Sequence, residues 1–187
     1  NHIIFHLPYA YHGRRMIFNN WLNWMKKDVK YEHLLDEVGS DQDEMFTKKA
    51  YKSNQYQNFI ENKIAPGEKA SSSIGNLYSA SVFMSLLSML NFHFDNKNEI
   101  VDDKVGFISY GSGSKAKIFQ AEVQLGWKDK IKSSKLFESL KHRKEITFEE
   151  YQDLHKSKNI PPLSNNSARF SHIDKSINSK GYRRYKL

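Results

Sequence analysis

Apolar positions along this chain keep one of two spacings, and the spacing names the element. Ile3-Ile4-Phe5 is a short apolar run closed by His6-Leu7-Pro8, which predicts a strand and its end. After Gly13 and Arg14, Met16, Phe18, Trp21, Leu22 and Met25 recur at steps of three and four, the spacing of an amphipathic helix. Residues 28–43 are charged and weakly periodic. They hold a short helix around Leu34-Leu35 and a turn at Gly39-Ser40. Phe46, Tyr51, Tyr56, Phe59 and Ile60 predict helix over about 44–62, and Ala65-Pro66-Gly67 predicts a break.

The segment from Ser71 onward is the most informative. Leu77–Leu90 places Val82, Phe83, Leu86, Leu87, Met89 and Leu90 over most of a helical surface, with Ser81, Ser85 and Ser88 at steps of four and three. A helix apolar on all sides is a buried one, and a stripe of small residues lets another backbone come close. Leu77–Leu90 is therefore expected as a central buried helix, followed by a polar loop over 91–103. Val105–Tyr110 predicts a strand, Gly111-Ser112-Gly113-Ser114 a tight turn, and Ile118–Leu125 a second strand. A short helix is expected over Ser133–Leu140. Thr147, with Glu150 three residues on, marks the start of a helix running to about Lys158, and Pro161-Pro162 stops it. Phe170–Ile177 and Tyr182–Tyr185 flank Asn178-Ser179-Lys180-Gly181 as a closing hairpin. The order of elements is that of an α/β fold: a mixed sheet layered with helices.

Composition narrows the classes. At 187 residues, with 39% hydrophobic and 13% aromatic positions, the chain is one globular domain or half of a larger one. The longest apolar stretch, Ala80–Leu90, is interrupted by serines and is too short to span a membrane. The chain has no cysteine, so it has no disulfide, no thiolate zinc site and no thiol nucleophile. It opens on Asn1 and runs straight into an apolar segment, as expected of a chain that begins inside a fold. The absence of a signal pattern and of cysteines leads to an expected cytoplasmic location. The net charge of +8, and the tail Lys180…Arg183-Arg184…Lys186 interleaved with Tyr182 and Tyr185, raise nucleic-acid binding as a possibility. No recognition motif accompanies them, and a phosphate-bearing small ligand suits the same charge.

Candidate chemistry is thin residue by residue. His6 ends a strand, where a lone histidine is most often a packing residue. Asn76 stands after Gly75 and before the buried helix; its plain role is an N-cap, its sharper one a polar group presented at a helix start. Ser112 sits between glycines, where backbone amides can approach a ligand. Nothing near it forms a nucleophile elbow.

Together the motifs carry more. Phe5-His6-Leu7-Pro8-Tyr9, then Gly75-Asn76-Leu77-Tyr78-Ser79-Ala80-Ser81, then Gly106-Phe107-Ile108-Ser109-Tyr110-Gly111-Ser112-Gly113-Ser114 resemble, in order and spacing, the C-terminal half of 3-hydroxy-3-methylglutaryl-CoA synthase. The segment Ile146–Tyr151 and the closing Tyr-Arg-Arg-Tyr hairpin also resemble that family's tail, whereas residues 28–65 match it poorly. The resemblance implies a thiolase-like fold, with residues 1–187 as its C-terminal half and a Cys-bearing N-terminal half outside this chain. It implies acetyl-CoA and acetoacetyl-CoA as substrates, no metal or redox cofactor, a cytoplasmic place in the mevalonate route to isoprenoids, and a homodimer when complete. No nucleic acid or membrane partner is expected.

By the same resemblance the nucleophilic Cys and the acid–base Glu belong to the other half, and His6 orients the second substrate and polarises its carbonyl. Asn76, Ser112 and Tyr78 hold that substrate. The family's lysine five residues after the His is Tyr11 here, while Arg14 and Arg15 keep basic charge for the CoA phosphates. A carrier-protein thioester in a β-branching synthase, or a non-catalytic partner subunit of the same fold, are the competing readings.

Overall fold

The period-two division of the first strand sets up two layers. In the computed structural model β1 (His2–Phe5) contributes Ile3 and Phe5 to one apolar cluster and Ile4 to another, as a strand buried on both faces must. The structure describes residues 1–111 and 115–156, with the backbone of two further strands at 169–173 and 183–186. The chain divides into two compact units, Asn1–His142 and Arg143–Leu187.

In the first unit, α1 (His12–Met25) is followed by α2 (Tyr31–Val38), α3 (Phe46–Tyr51), α4 (Asn54–Lys63) and α5 (Ala65–Ile74). Ile17, Phe18 and Trp21 of α1 pack with Leu34, Phe46, Tyr56 and Ile60 in the cluster that holds Phe5. The helix expected over 44–62 is cut at Ser53. The Ser53 hydroxyl donates to Ala50 O (2.8 Å) and accepts from Tyr56 N (3.1 Å), so it ends one helix and caps the next. The break expected at Ala65-Pro66-Gly67 is instead the first turn of α5. Proline has no N–H to lose there, and its fixed φ already suits a helix.

A 3₁₀ turn (Tyr78–Ala80) leads into α6 (Ser81–Asp95). The expected central helix, Leu77–Leu90, is thus displaced toward the C-terminus. Asn76 Oδ1 accepts from Tyr78 N at 2.7 Å, and Tyr78 takes a φ of 49°, a left-handed conformation unsuited to the interior of an α-helix, so α6 does not extend back through it. Nor is the helix buried all round within this chain. Its three serines are, with Met89, its most deeply buried positions, while Phe83 is 68% exposed.

Beyond α6, β2 (Lys104–Gly111) pairs parallel with β1, His2 opposite Val105 through Phe5 opposite Ile108. It pairs antiparallel with β3 (Lys115–Glu122) to complete a mixed sheet of order β1-β2-β3. The Gly-Ser-Gly-Ser turn joining β2 to β3 lies, after Gly111, outside the described residues. Val105 and Phe107 join Ile4, Val82 and Met89 in the second cluster, closed by Trp127 and Ile131 of α7 (Trp127–Ile131). The short α8 (Leu136–Lys141) answers the helix expected near 133–140, whereas α7 has no periodic signal of its own. Helices on both sides of the β1–β2 pair make the unit α/β, as the pattern predicts.

In the second unit α9 (Phe148–His155) opens with the expected capping box. Thr147 Oγ1 accepts from Glu150 N (3.2 Å), and Glu150 Oε2 accepts from Thr147 N (2.7 Å). Strands β4 (Arg169–Ile173) and β5 (Arg183–Lys186) pair antiparallel, with a bulge between Phe170 and His172. Pro161-Pro162 and the turn at Asn178–Gly181 fall outside the described residues. No helix among the described residues is long and apolar enough to cross a membrane.

A candidate active site around His6

His6 extends the β1–β2 pairing by one rung: its N–H donates to Ile108 O at 2.9 Å. The half-buried imidazole puts Nδ1 3.1 Å from Oγ of Ser81, the first residue of α6. That same oxygen accepts from the Leu7 N–H at 3.0 Å. The ring of Tyr110, near the end of β2, stands edge-on to the imidazole at 6.3 Å. Three segments widely separated in sequence, 5–9, 75–81 and 106–111, therefore converge on one histidine.

The serine stripe of α6 brings them together. Ser81 and Ser85 face the end of β1, Ser85 Oγ donating to Phe5 O at 3.4 Å. Ser88 faces α5, donating to Pro66 O (2.7 Å) and accepting from Ala70 N (3.1 Å). The stripe predicts one close backbone approach; the structure holds two, a strand end and a helix. Larger side chains would hold both backbones off, and each buried hydroxyl finds partners.

The other expected site residues are placed less directly. Asn76 and Tyr78 are exposed, 76% in the case of Tyr78, on the connection between α5 and α6. Gly75 there takes a φ of 90°, a conformation open to glycine and strained for other residues. Asn76 is not the N-cap its position suggested, since Leu77 precedes the 3₁₀ turn and Ala80 precedes α6; its Oδ1 is engaged instead by the Tyr78 N–H two residues on. Ser112 lies outside the described residues.

The structure separates Arg14 from Arg15. Arg14 Nε donates to Glu68 Oε2 at 2.7 Å, and its guanidinium stands 4.5 Å over the Tyr11 ring. Glu68 is almost wholly buried, and its Oε1 has no hydrogen-bond partner among the described residues. Burial pushes its carboxyl pKa up against the opposing pull of Arg14. Arg14 thus has its charge partnered within the fold, while Arg15 is exposed. Tyr11, Arg14, Glu68, Lys69, Ser72 and Phe92 line a cavity of about 370 Å³.

Sequence reasoning did not single out Glu68, which follows the expected break at Ala65-Pro66-Gly67 and reads there as an ordinary acidic residue; the structure puts it in the first turn of α5. It read Ser81 as a small residue and not as a partner of His6; its place at the head of the serine stripe was the available signal. Among the described residues no cluster of three or more His, Asp or Glu is arranged to hold a metal.

Comparison with known proteins bears on this arrangement. A family model described as hydroxymethylglutaryl-coenzyme A synthase C terminal matches residues 1–182. A hydroxymethylglutaryl-CoA synthase of Haloferax volcanii is 33% identical over 103 residues, 55% of this chain and 23% of the relative. Among solved structures, MvaS in complex with 3-hydroxy-3-methylglutaryl coenzyme A superposes with a TM-score of 0.66 at 21% identity, over 99% of this chain and 41% of that one. The curacin biosynthetic pathway HMG synthase in complex with apo donor-ACP superposes with a TM-score of 0.55 at 21% identity, over 83% of this chain and 32% of that one. The match spans less than a quarter of the Haloferax relative and about two fifths of MvaS.

Proposed function

This chain belongs to the hydroxymethylglutaryl-coenzyme A synthase C-terminal family, and from that premise we propose that it supplies the substrate-orienting part of an enzyme that condenses acetyl-CoA with acetoacetyl-CoA. The Cys that carries the acetyl group and the Glu that moves protons come from an N-terminal half. The chain alone, lacking any cysteine, forms no acyl-enzyme. His6 meets the ketone of the second substrate, and Asn76, Tyr78 and Ser112 hold its acyl end. When the acetyl enolate adds to the ketone, charge develops on the ketone oxygen, and a donor already aimed there stabilises it. Arg15, exposed on α1, is assigned to the phosphates of the CoA, with Arg14, its neighbour in sequence, adding to the local positive charge.

The observation that carries this reading is the convergence of the three motif segments on His6. The exposed apolar side chains Tyr78, Phe83, Ile118 and Phe119 are consistent with surface covered by the missing half and by a second copy.

The test uses the chain joined to its Cys-bearing half, with the isolated chain as an inactive control. His6→Ala is expected to slow condensation on the order of 10²–10³-fold while leaving acetylation of the Cys near the wild-type rate. Equal losses in both half-reactions would reduce His6 to a structural residue.

A second reading has its own support. Tyr11 replaces the lysine that the family resemblance expects, and Glu68 holds Arg14, so fewer cations are available to CoA phosphates. A carrier-protein phosphopantetheine, which lacks the nucleotide, needs fewer. Comparing kcat/KM for a CoA thioester and for the same acyl group on a carrier protein separates the two.

A further inference from the structure

The geometry points to Ser81 as the positioning residue that fixes His6 in one tautomer, with the proton on Nε2. The inference rests on the role of His6 given above. Ser81 Oγ has one hydrogen to give and two lone pairs to offer. One lone pair is taken by the Leu7 N–H at 3.0 Å. The remaining partner among the described residues is His6 Nδ1, at 3.1 Å.

Two arrangements satisfy that distance. If Nδ1 carried the proton and donated to Ser81, the serine would accept twice. Its own hydrogen would then be left without an acceptor at a fully buried position. A buried unsatisfied donor is disfavoured strongly enough to decide the matter. If Ser81 donates to an unprotonated Nδ1, the amide, the hydroxyl and the imidazole are all satisfied. The neutral ring then carries its hydrogen on Nε2.

Among the described residues no group is bonded to Nε2, so that N–H remains available as a donor. A donor is what a developing alkoxide needs, and an imidazole of the other tautomer would present a lone pair to it instead. The same hydroxyl also anchors the Leu7 amide. Ser81 thus holds the ring of residue 6 and the backbone of residue 7 from one atom. Ser81 is the first residue of α6 and fully buried, which makes it a rigid support.

The experiment labels histidine with ¹⁵N in the assembled protein and reads the long-range ¹H–¹⁵N pattern of His6, identified by its loss in His6→Gln. The wild type is expected to show the Nε2–H tautomer. Ser81→Ala is expected to give mixed tautomers and condensation slowed about tenfold, less than loss of the donor itself, with Cys acetylation unchanged. Ser81→Thr, which keeps the hydroxyl, is expected to restore both. An Nδ1–H pattern in the wild type overturns the inference and leaves the role of His6 standing. It is overturned equally if Ser81→Ala keeps a single tautomer, or mixes them with no change in condensation. The wild-type spectrum decides the contact even if Ser81→Ala, by orphaning the Leu7 amide, folds poorly. If His6→Ala slows both half-reactions alike, the functional reading fails, and the spectrum still judges the Ser81–His6 contact.

Discussion

Gly13 shows how much one absent methyl group can matter. A Cβ placed there would stand 2.5 Å from Phe5 Cδ2 and 2.8 Å from Phe5 Cγ. Phe5 is 2% exposed, and turning its ring about Cβ–Cγ leaves Cγ where it is, so only moving the whole buried side chain would clear the clash. Alanine normally improves a helix by up to about 1 kcal/mol over glycine. Overpacking a core costs about 1–3 kcal/mol, and here the clash outweighs propensity. Gly13→Ala is expected to destabilise the protein by about 1–2 kcal/mol in urea unfolding; a stabilised variant would mean that Phe5 and α1 are not in close contact. Reading the sequence alone makes Gly13 the opening of a helix and nothing more, because the ring it accommodates belongs to a strand eight residues earlier. Arg14 is the same lesson with the opposite sign. Beside Arg15 it reads as a second phosphate cation, but its partner Glu68 lies fifty-four positions on, and no local spacing announces it. His6 stood out as a candidate for a different reason: its segment recurs with two others in a fixed order and spacing.

At the scale of elements, apolar spacing pointed to α1 and α6, and compact apolar runs pointed to β1 and β2. The reading failed where an element starts unusually. Pro66-Gly67 looks like a break, yet proline fits a first turn and Gly67 lets α6 approach, a Cβ there standing 3.4 Å from Ser85 O. The contact between α5 and α6 offers a direct test. Ser88 Oγ stands between Pro66 O and Ala70 N, two groups one helical turn apart on α5. Ser88→Ala removes both bonds and is expected to cost about 1–2 kcal/mol. Ser88→Val, which also adds volume where two backbones meet, is expected to cost more. Chemical denaturation of the three proteins under one condition measures both. If Ser88→Val were as stable as the wild type, the close approach would be wrong.

The whole first unit is tied at one end by a histidine pair. His2 Nε2 bonds Asp103 Oδ2 at 2.9 Å, the His2 and His93 rings lie 4.7 Å apart, and His93 Nδ1 meets Asn98 Nδ2 at 3.0 Å. These contacts join the start of β1, the end of α6 and the loop before β2. Burial, reinforced by the neighbouring His2, lowers the His93 pKa to about 4; burial also lowers that of His2, outweighing the pull of Asp103. His93 is therefore neutral in the folded protein down to about pH 4, and His2 gives up its proton more readily than a free histidine. The unfolded chain binds more protons than the folded one between about pH 4 and the ordinary histidine range near 6.5, so stability rises with pH across that window. The contribution is fully present above about pH 6.5 and is lost as pH falls toward 4, on the order of 2–3 kcal/mol. Urea midpoints at pH 7.5 and pH 4.5 should differ accordingly, and His93→Gln should flatten the difference. An unchanged slope in that variant would rule the pair out. This long-range knot was invisible in the sequence, since two histidines ninety-one positions apart carry no shared signal, whereas the α/β class followed from element order alone. The parallel β1–β2 pairing has the same reach, joining His2 to Val105 and Phe5 to Ile108 across about a hundred residues. That separation has a consequence in time. During synthesis, at roughly 5–20 residues per second, some 5–20 s pass between the appearance of β1 and that of the strand it pairs with. The helices α1 to α5 are made in that interval, and Phe5 and Leu7 can pack against them first. The β1–β2 pairing is thus expected late in folding, slow because so long a loop must close, whereas β2 and β3 pair locally; the interval is when an open strand edge is most exposed to pairing with a neighbouring chain.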